Sequence, residues 1–166
     1  MELDLAVKAL IVYESKYGNT RLVAETIAQG MIETAEAEAT PVEVQKVDLN
    51  KTTDYDLILI GSPNHMGGPT RSITKFIDEL GKLYLKGKWI AVFDTHMGED
   101  FEKAVKKMEK RIGDQAPGLK MAVQGLSVRV QGMKGPVVEG ELPKSKEFGN
   151  RIVARIGETK THTTDR

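Results

Sequence analysis

Three stretches of the chain are apolar at every position: Ala9-Leu10-Ile11-Val12-Tyr13, Leu57-Ile58-Leu59-Ile60 and Trp89-Ile90-Ala91-Val92-Phe93. A strand with one face in water alternates apolar and polar residues, whereas a strand covered on both faces does not. The chain therefore needs a sheet with a layer packed on each side. Helical spacing supplies those layers: Val23, Ile27 and Met31 follow the first run, Ile73, Phe76, Ile77 and Leu80 the second, and Phe101, Val105, Met108 and Ile112 the third. Val42, Val44, Val47 and Leu49 predict a weaker strand at a sheet edge, and Leu126, Val128 and Val130 a fifth strand. Phe148, Ile152, Val153 and Ile156 predict a closing helix. Five strands alternating with helices describe a doubly wound α/β domain with a parallel sheet and right-handed crossovers. One domain over residues 1–157 is expected, with 158–166 a flexible tail because it holds no apolar residue to dock it.

A length of 166 residues with 40% hydrophobic content suits a single core. The 24 basic and 24 acidic residues balance, which gives no sign of a nucleic-acid partner or an acidic tail. The charged segment EDFEKAVKKMEKR reads as a solvated helix face, since both signs intermix and no aromatic residues interleave as base-stacking platforms. With no cysteine, disulfides, thiolate chemistry and cysteine-ligated metals are excluded, and no H-E-x-x-H spacing suggests a zinc site. The N-terminal MELDLAVKAL carries no long apolar core or basic leader, and no apolar run approaches membrane-spanning length. A cytoplasmic domain without membrane insertion is expected.

Ligands of open parallel sheets bind beyond the carboxyl ends of the strands, where the strand order reverses. The loops Ser15–Thr20, Ser62–Thr70 and Asp94–Asp100 leave the three apolar strands there. In the first, SKYGNT, Ser15 and Thr20 offer hydroxyls, Asn19 an amide, and Gly18 a close backbone approach. A helix follows at once, so its free N–H groups and positive dipole end face the same loop. Two readings fit: a cradle for a phosphate, or an ordinary N-cap at Asn19 or Thr20. The spacing matches neither the P-loop nor G-x-G-x-x-G.

The stretch IVYESKYGNTRLVAETIA resembles the phosphate-loop signature of flavodoxins, Ser/Thr-x-x-Gly-x-Thr between the first strand and first helix. The likeness continues through LILIGSPNHMGGPTRSITKFIDEL, WIAVFDTHMGEDFEKAVKKMEK and GLSVRVQGMKGPVVEGE, and so covers most of the chain. With no obvious long insertion in the last strand, it resembles the short-chain type. The resemblance implies a flavodoxin-like five-stranded sheet of order 2-1-3-4-5 and an FMN cofactor. It assigns Ser15, Lys16, Tyr17, Gly18, Asn19 and Thr20 to the FMN phosphate. Ser62, Pro63, Asn64, His65, Met66, Gly67 and Gly68 would line one side of the isoalloxazine ring, the backbone of 64–68 lying near its N5 edge. Thr95, His96, Met97 and Gly98 would line the other side, with Asp100 near the rim.

Flavodoxins usually stack the ring between aromatic residues. Here the flanking loops hold His65, Met66, His96 and Met97 instead, and the one tryptophan, Trp89, opens a central strand as a core residue. Two histidines beside the ring would bring groups of ordinary pKa about 6.5 to bear on reduced flavin. The function implied is electron transfer between redox proteins. The alternatives are a small FMN-dependent reductase of a quinone or of a menaquinone-linked porphyrinogen reaction, and a flavin-free interaction module on the same fold.

Overall fold

The computed structural model describes residues 6–164, with side chains as far as Thr159. Its elements in chain order are β1 (Val7–Tyr13), α1 (Asn19–Ile32), β2 (Ala37–Glu43), β3 (Leu57–Pro63), α2 (Arg71–Leu80), β4 (Trp89–His96), α3 (Lys103–Gln115), β5 (Lys120–Met121), β6 (Leu126–Arg129) and α4 (Glu141–Thr164). All sheet pairings are parallel, in the order β2-β1-β3-β4-β5, with β6 on the same flank of β4 as a continuation of β5. This is the doubly wound order, and it reverses between β1 and β3, where the chain has wound first one way and then the other.

Alternation within the strands divides the core. Val7, Ala9, Ile11 and Tyr13 pack with α1 and α4 on one face, and Leu10, Val12, Ile58 and Ile60 with α2 and α3 on the other. β3 is buried at every position but its last, as its unbroken apolar run requires.

The weaker strands differ from the sequence expectation. β2 lies at Ala37–Glu43, several residues before the predicted 42–49, while Val44, Val47 and Leu49 fall in or beside two short 3₁₀ turns, Val44–Lys46 and Leu49–Asp54. An edge strand needs only one buried face and tolerates a proline, and AEATPVE supplies Ala37, Ala39 and Pro41 in a pattern too weak to stand out. The fifth strand is split. Ala122 still donates to the Ile90 carbonyl at 2.9 Å, residues 123–125 leave the ladder between β5 and β6, and the Gly125 N–H bonds Glu109 Oε2 at 3.1 Å. Trp89 is only partly buried and carries the cations of Lys120 and Arg155 over its ring, at 4.2 and 5.5 Å from its centre, rather than sitting inside the core. Residues 158–166, expected as a loose tail, are helical to Thr164, and Asp165 and Arg166 lie outside the described residues. Among the described residues no helix is long and apolar enough to cross a membrane.

Candidate functional site

The three loops after β1, β3 and β4 meet at Thr95. Its buried hydroxyl lies 2.9 Å from Thr20 Oγ1 of the first loop, and its carbonyl accepts the Asn64 N–H of the second at 2.7 Å. The register explains this. β4 places Phe93 and Thr95 on the α1 face and Val92, Asp94 and His96 on the α3 face, so Thr95 points at the start of α1.

In the first loop Gly18 takes φ +93°, a left-handed turn into α1 that a side chain would resist. Ser15 Oγ accepts from the Gly18 and Arg21 N–H groups at 3.1 and 3.2 Å. The N–H groups of Asn19 and Thr20 find no acceptor among the described residues, so the helix entrance keeps donors free. Lys16 is exposed, its ammonium 5.4 Å from the centre of the Tyr17 ring. The Tyr17 hydroxyl donates to Met133 Sδ at 3.6 Å, and Asn19 packs against Gly135.

The second loop is a hairpin turn on a fixed base. Ser62, fully buried, donates to the Pro63 carbonyl and accepts from the Thr70 N–H, and Thr70 donates to Glu14 at 2.7 Å and caps α2. Ser62 therefore closes the foot of the loop and offers its hydroxyl to no ligand. His65 and Gly68 exchange backbone bonds, with Met66 and Gly67 at φ +52° and +83° between them, the signature of a type I′ turn. His65 is exposed, and Met66 projects at 92% exposure. Asn64 donates to Asp100 Oδ2 at 3.0 Å, tying the second loop to the third, while its own Oδ1 is buried without a partner among the described residues.

In the third loop Met97 is 40% exposed and Gly98 takes φ +56°. Asp100 also pairs with Lys103 at 2.9 Å. His96 departs from the sequence expectation. It is buried on the α3 face, its Nδ1 2.9 Å from Ser127 Oγ and its ring edge-to-face with Phe101 at 5.6 Å. The Ser127 hydroxyl donates to Asp94 at 2.6 Å and accepts from the Glu102 N–H at 2.9 Å, so with Asp94 ionised the third bond draws its proton from His96 Nδ1. Asp94 in turn accepts the Val105 N–H at the start of α3. Burial pushes the Asp94 carboxyl above its usual value, against the opposing pull of its Ser127 and Val105 bonds and of His96. Serine, histidine and aspartate thus meet without forming a nucleophile, because the buried serine is saturated and sits between its partners. The network fixes the turn 97–102 from beneath.

Three further contacts border the loops, none of them made by a residue expected to take part in the site. Phe101, expected on the core face of its helix, precedes α3 and is 61% exposed. Lys107 of α3 lies along the second loop, where a methyl on Gly68 would stand 3.1 Å from its Cδ. The segment after β6 reaches Tyr17 and Asn19; its two glycines were the available signal. A groove of about 680 Å³ runs along the outer sheet edge beside α4; Phe101 and Glu102 at the far end of the third loop line it, and no lining residue comes from the first two loops.

Residues 10–133 match the family described as "Flavodoxin domain". The chain is 30% identical over 89 residues to a flavodoxin of Clostridium saccharobutylicum, covering 54% of this chain and 56% of that one. It is 27% identical over 99 residues to an NAD(P)H dehydrogenase (quinone) of Caulobacter vibrioides strain NA1000 / CB15N, covering 48% of this chain and 50% of that one. The match thus spans about half the length of these curated relatives. Oxidised flavodoxin 2 of Bacillus cereus superimposes with TM-score 0.75 at 26% identity, over 89% of this chain and 99% of that one. A family match over three-quarters of the sequence, on the sheet order and loop placement described, makes this chain a member of the flavodoxin-domain family.

Proposed function

We propose that this protein binds FMN across the three loops that meet at Thr95 and carries electrons between redox proteins. The observation that carries the reading is that meeting point, where one residue of β4 contacts the loops leaving β1 and β3, the strands on either side of the switch point. The residues fit the group. Free Asn19 and Thr20 N–H groups at a helix entrance, with the Thr20 hydroxyl beside them, suit a phosphate dianion and need no obligatory cation. The unpartnered Asn64 Oδ1 is a buried acceptor that a ring N–H would satisfy. Bound FMN supplies one- and two-electron redox chemistry. The protein's share is to anchor the phosphate through Ser15–Thr20, to hold the ring between Asn64–Gly68 and Met97–Gly98, and to keep the third loop rigid through Asp94, Ser127 and His96.

A reductase acting on a small quinone-like substrate is the second reading. It is favoured by the projecting, aromatic-free turn at Met66 and by the Caulobacter relative. Steady-state assay of the FMN-loaded protein with NAD(P)H and a soluble quinone separates the two. A carrier shows no sustained turnover until a separate flavin reductase protein is added. Sustained turnover without one overturns the carrier reading in favour of the reductase.

A further inference from the structure

The segment that leaves β6 folds back on itself. Val130 bridges Val137 in antiparallel sense, Gln131 donates to the Pro136 carbonyl at 2.9 Å, and Val138 to the Arg129 carbonyl at 2.9 Å. Gly135 donates to the Gly132 carbonyl at 2.9 Å, which closes a four-residue turn at the tip. The tip rests on the first loop at two points. Met133 receives the Tyr17 hydroxyl, and Gly135 lies under the Asn19 side chain. Those two contacts flank Gly18, the left-handed pivot on which the loop turns into α1.

A side chain at Gly135 fits only if the Asn19 amide moves from its place. A methyl group there would collide with Asn19 Oδ1 and stand 3.0 Å from Nδ2 and 3.1 Å from Cγ. Gly135 also holds φ +91°, so glycine serves both conformation and clearance. Gly140 supplies the comparison: its φ of +90° is the same, yet nothing lies within 4 Å of where its Cβ would be.

We propose that the 131–137 hairpin is a further wall of the phosphate site. It fixes Tyr17 and Asn19 on either side of Gly18, and so aims the free N–H groups of Asn19 and Thr20 at a phosphate monoester. Gly135 is a positioning residue in this scheme, acting through Asn19. The inference rests on the FMN reading above, and it separates into its own prediction because riboflavin shares the ring and ribityl chain but lacks the phosphate.

The test measures FMN and riboflavin affinity by fluorescence titration for the wild type, Gly135→Ala, Gly140→Ala and Met133→Ala, with thermal melts of each to establish folding. Gly135→Ala is expected to weaken FMN at least tenfold while riboflavin stays within twofold, and Met133→Ala to weaken FMN about threefold with riboflavin unchanged. Gly140→Ala, with the same backbone strain, is expected to leave the FMN-to-riboflavin ratio at its wild-type value. Should Gly135→Ala fail to fold, the exposed Met133 position decides. A wild type that prefers FMN, with the ratio unmoved in every folded variant of Gly135 and Met133, overturns the hairpin's role and leaves the phosphate site standing. A wild type with no preference for FMN overturns both together.

Discussion

A carboxyl group with no exposed surface, Asp94, holds the third loop from beneath, between the start of α3 and Ser127. Because burial raises its folded-state pKa, the native chain keeps the Asp94 proton to a higher pH than the unfolded chain, whose aspartates titrate near 3.8. The native state then binds more protons than the unfolded state above that pH, and stability falls as pH rises through the window up to the folded value. Asp94→Asn removes that contribution. Denaturant unfolding at a series of pH values is expected to show the variant gaining on the wild type from about pH 4 upward. His96 is the titratable group that faces Asp94, at 3.6 Å, so the same series in His96→Asn isolates its share. Parallel stability curves for wild type and Asp94→Asn would contradict the raised value. The inward turn of His96 was legible in principle, since alternation along Ile90, Val92, Asp94 and His96 puts all four on one face. Loop position argued the other way, and the register decided. Thr20 and Thr95 were both readable as loop residues; their pairing was not, because no local pattern reports a contact across 75 residues.

At the scale of elements, α1 and α4 cross at two glycines. A Cβ on Gly30 would collide with the Lys146 carbonyl, and one on Gly149 with the Ile27 carbonyl, so each helix lays its backbone against the other's missing side chain. Elsewhere in a helix, Gly to Ala gains roughly 0.5–1 kcal/mol. Here the obstacle is backbone and cannot swing aside. Gly30→Ala and Gly149→Ala are each expected to cost about 1–3 kcal/mol of stability through overpacking. Chemical denaturation measures this, and a stabilised variant would show that the crossing is looser than described. The helices were legible because their apolar residues repeat with the turn. The glycines within them were not, since a sequence shows that a side chain is missing but not what occupies its space. The edge strands were hardest to read: β2 is half exposed and β5–β6 is interrupted, so neither carries the unbroken run that marked β1, β3 and β4.

Across the whole molecule, two apolar layers on one sheet leave the carboxyl ends of β1, β3 and β4 as the place where loops can be spared for binding. The 24 basic and 24 acidic residues balance, so net charge gives no sign of long-range steering. In the proposed function those loops hold FMN by its phosphate. Titration of the purified protein with FMN and with riboflavin, in the wild type and in Thr20→Val, tests it directly. Tight one-to-one binding is expected, with FMN preferred by at least about a hundredfold from several bonds to one charged group. Thr20→Val is expected to lose roughly 1.5–3 kcal/mol for FMN and much less for riboflavin, since only FMN presents a phosphate to that hydroxyl. Equal affinities for the two ligands, or equal losses in the variant, would contradict the account.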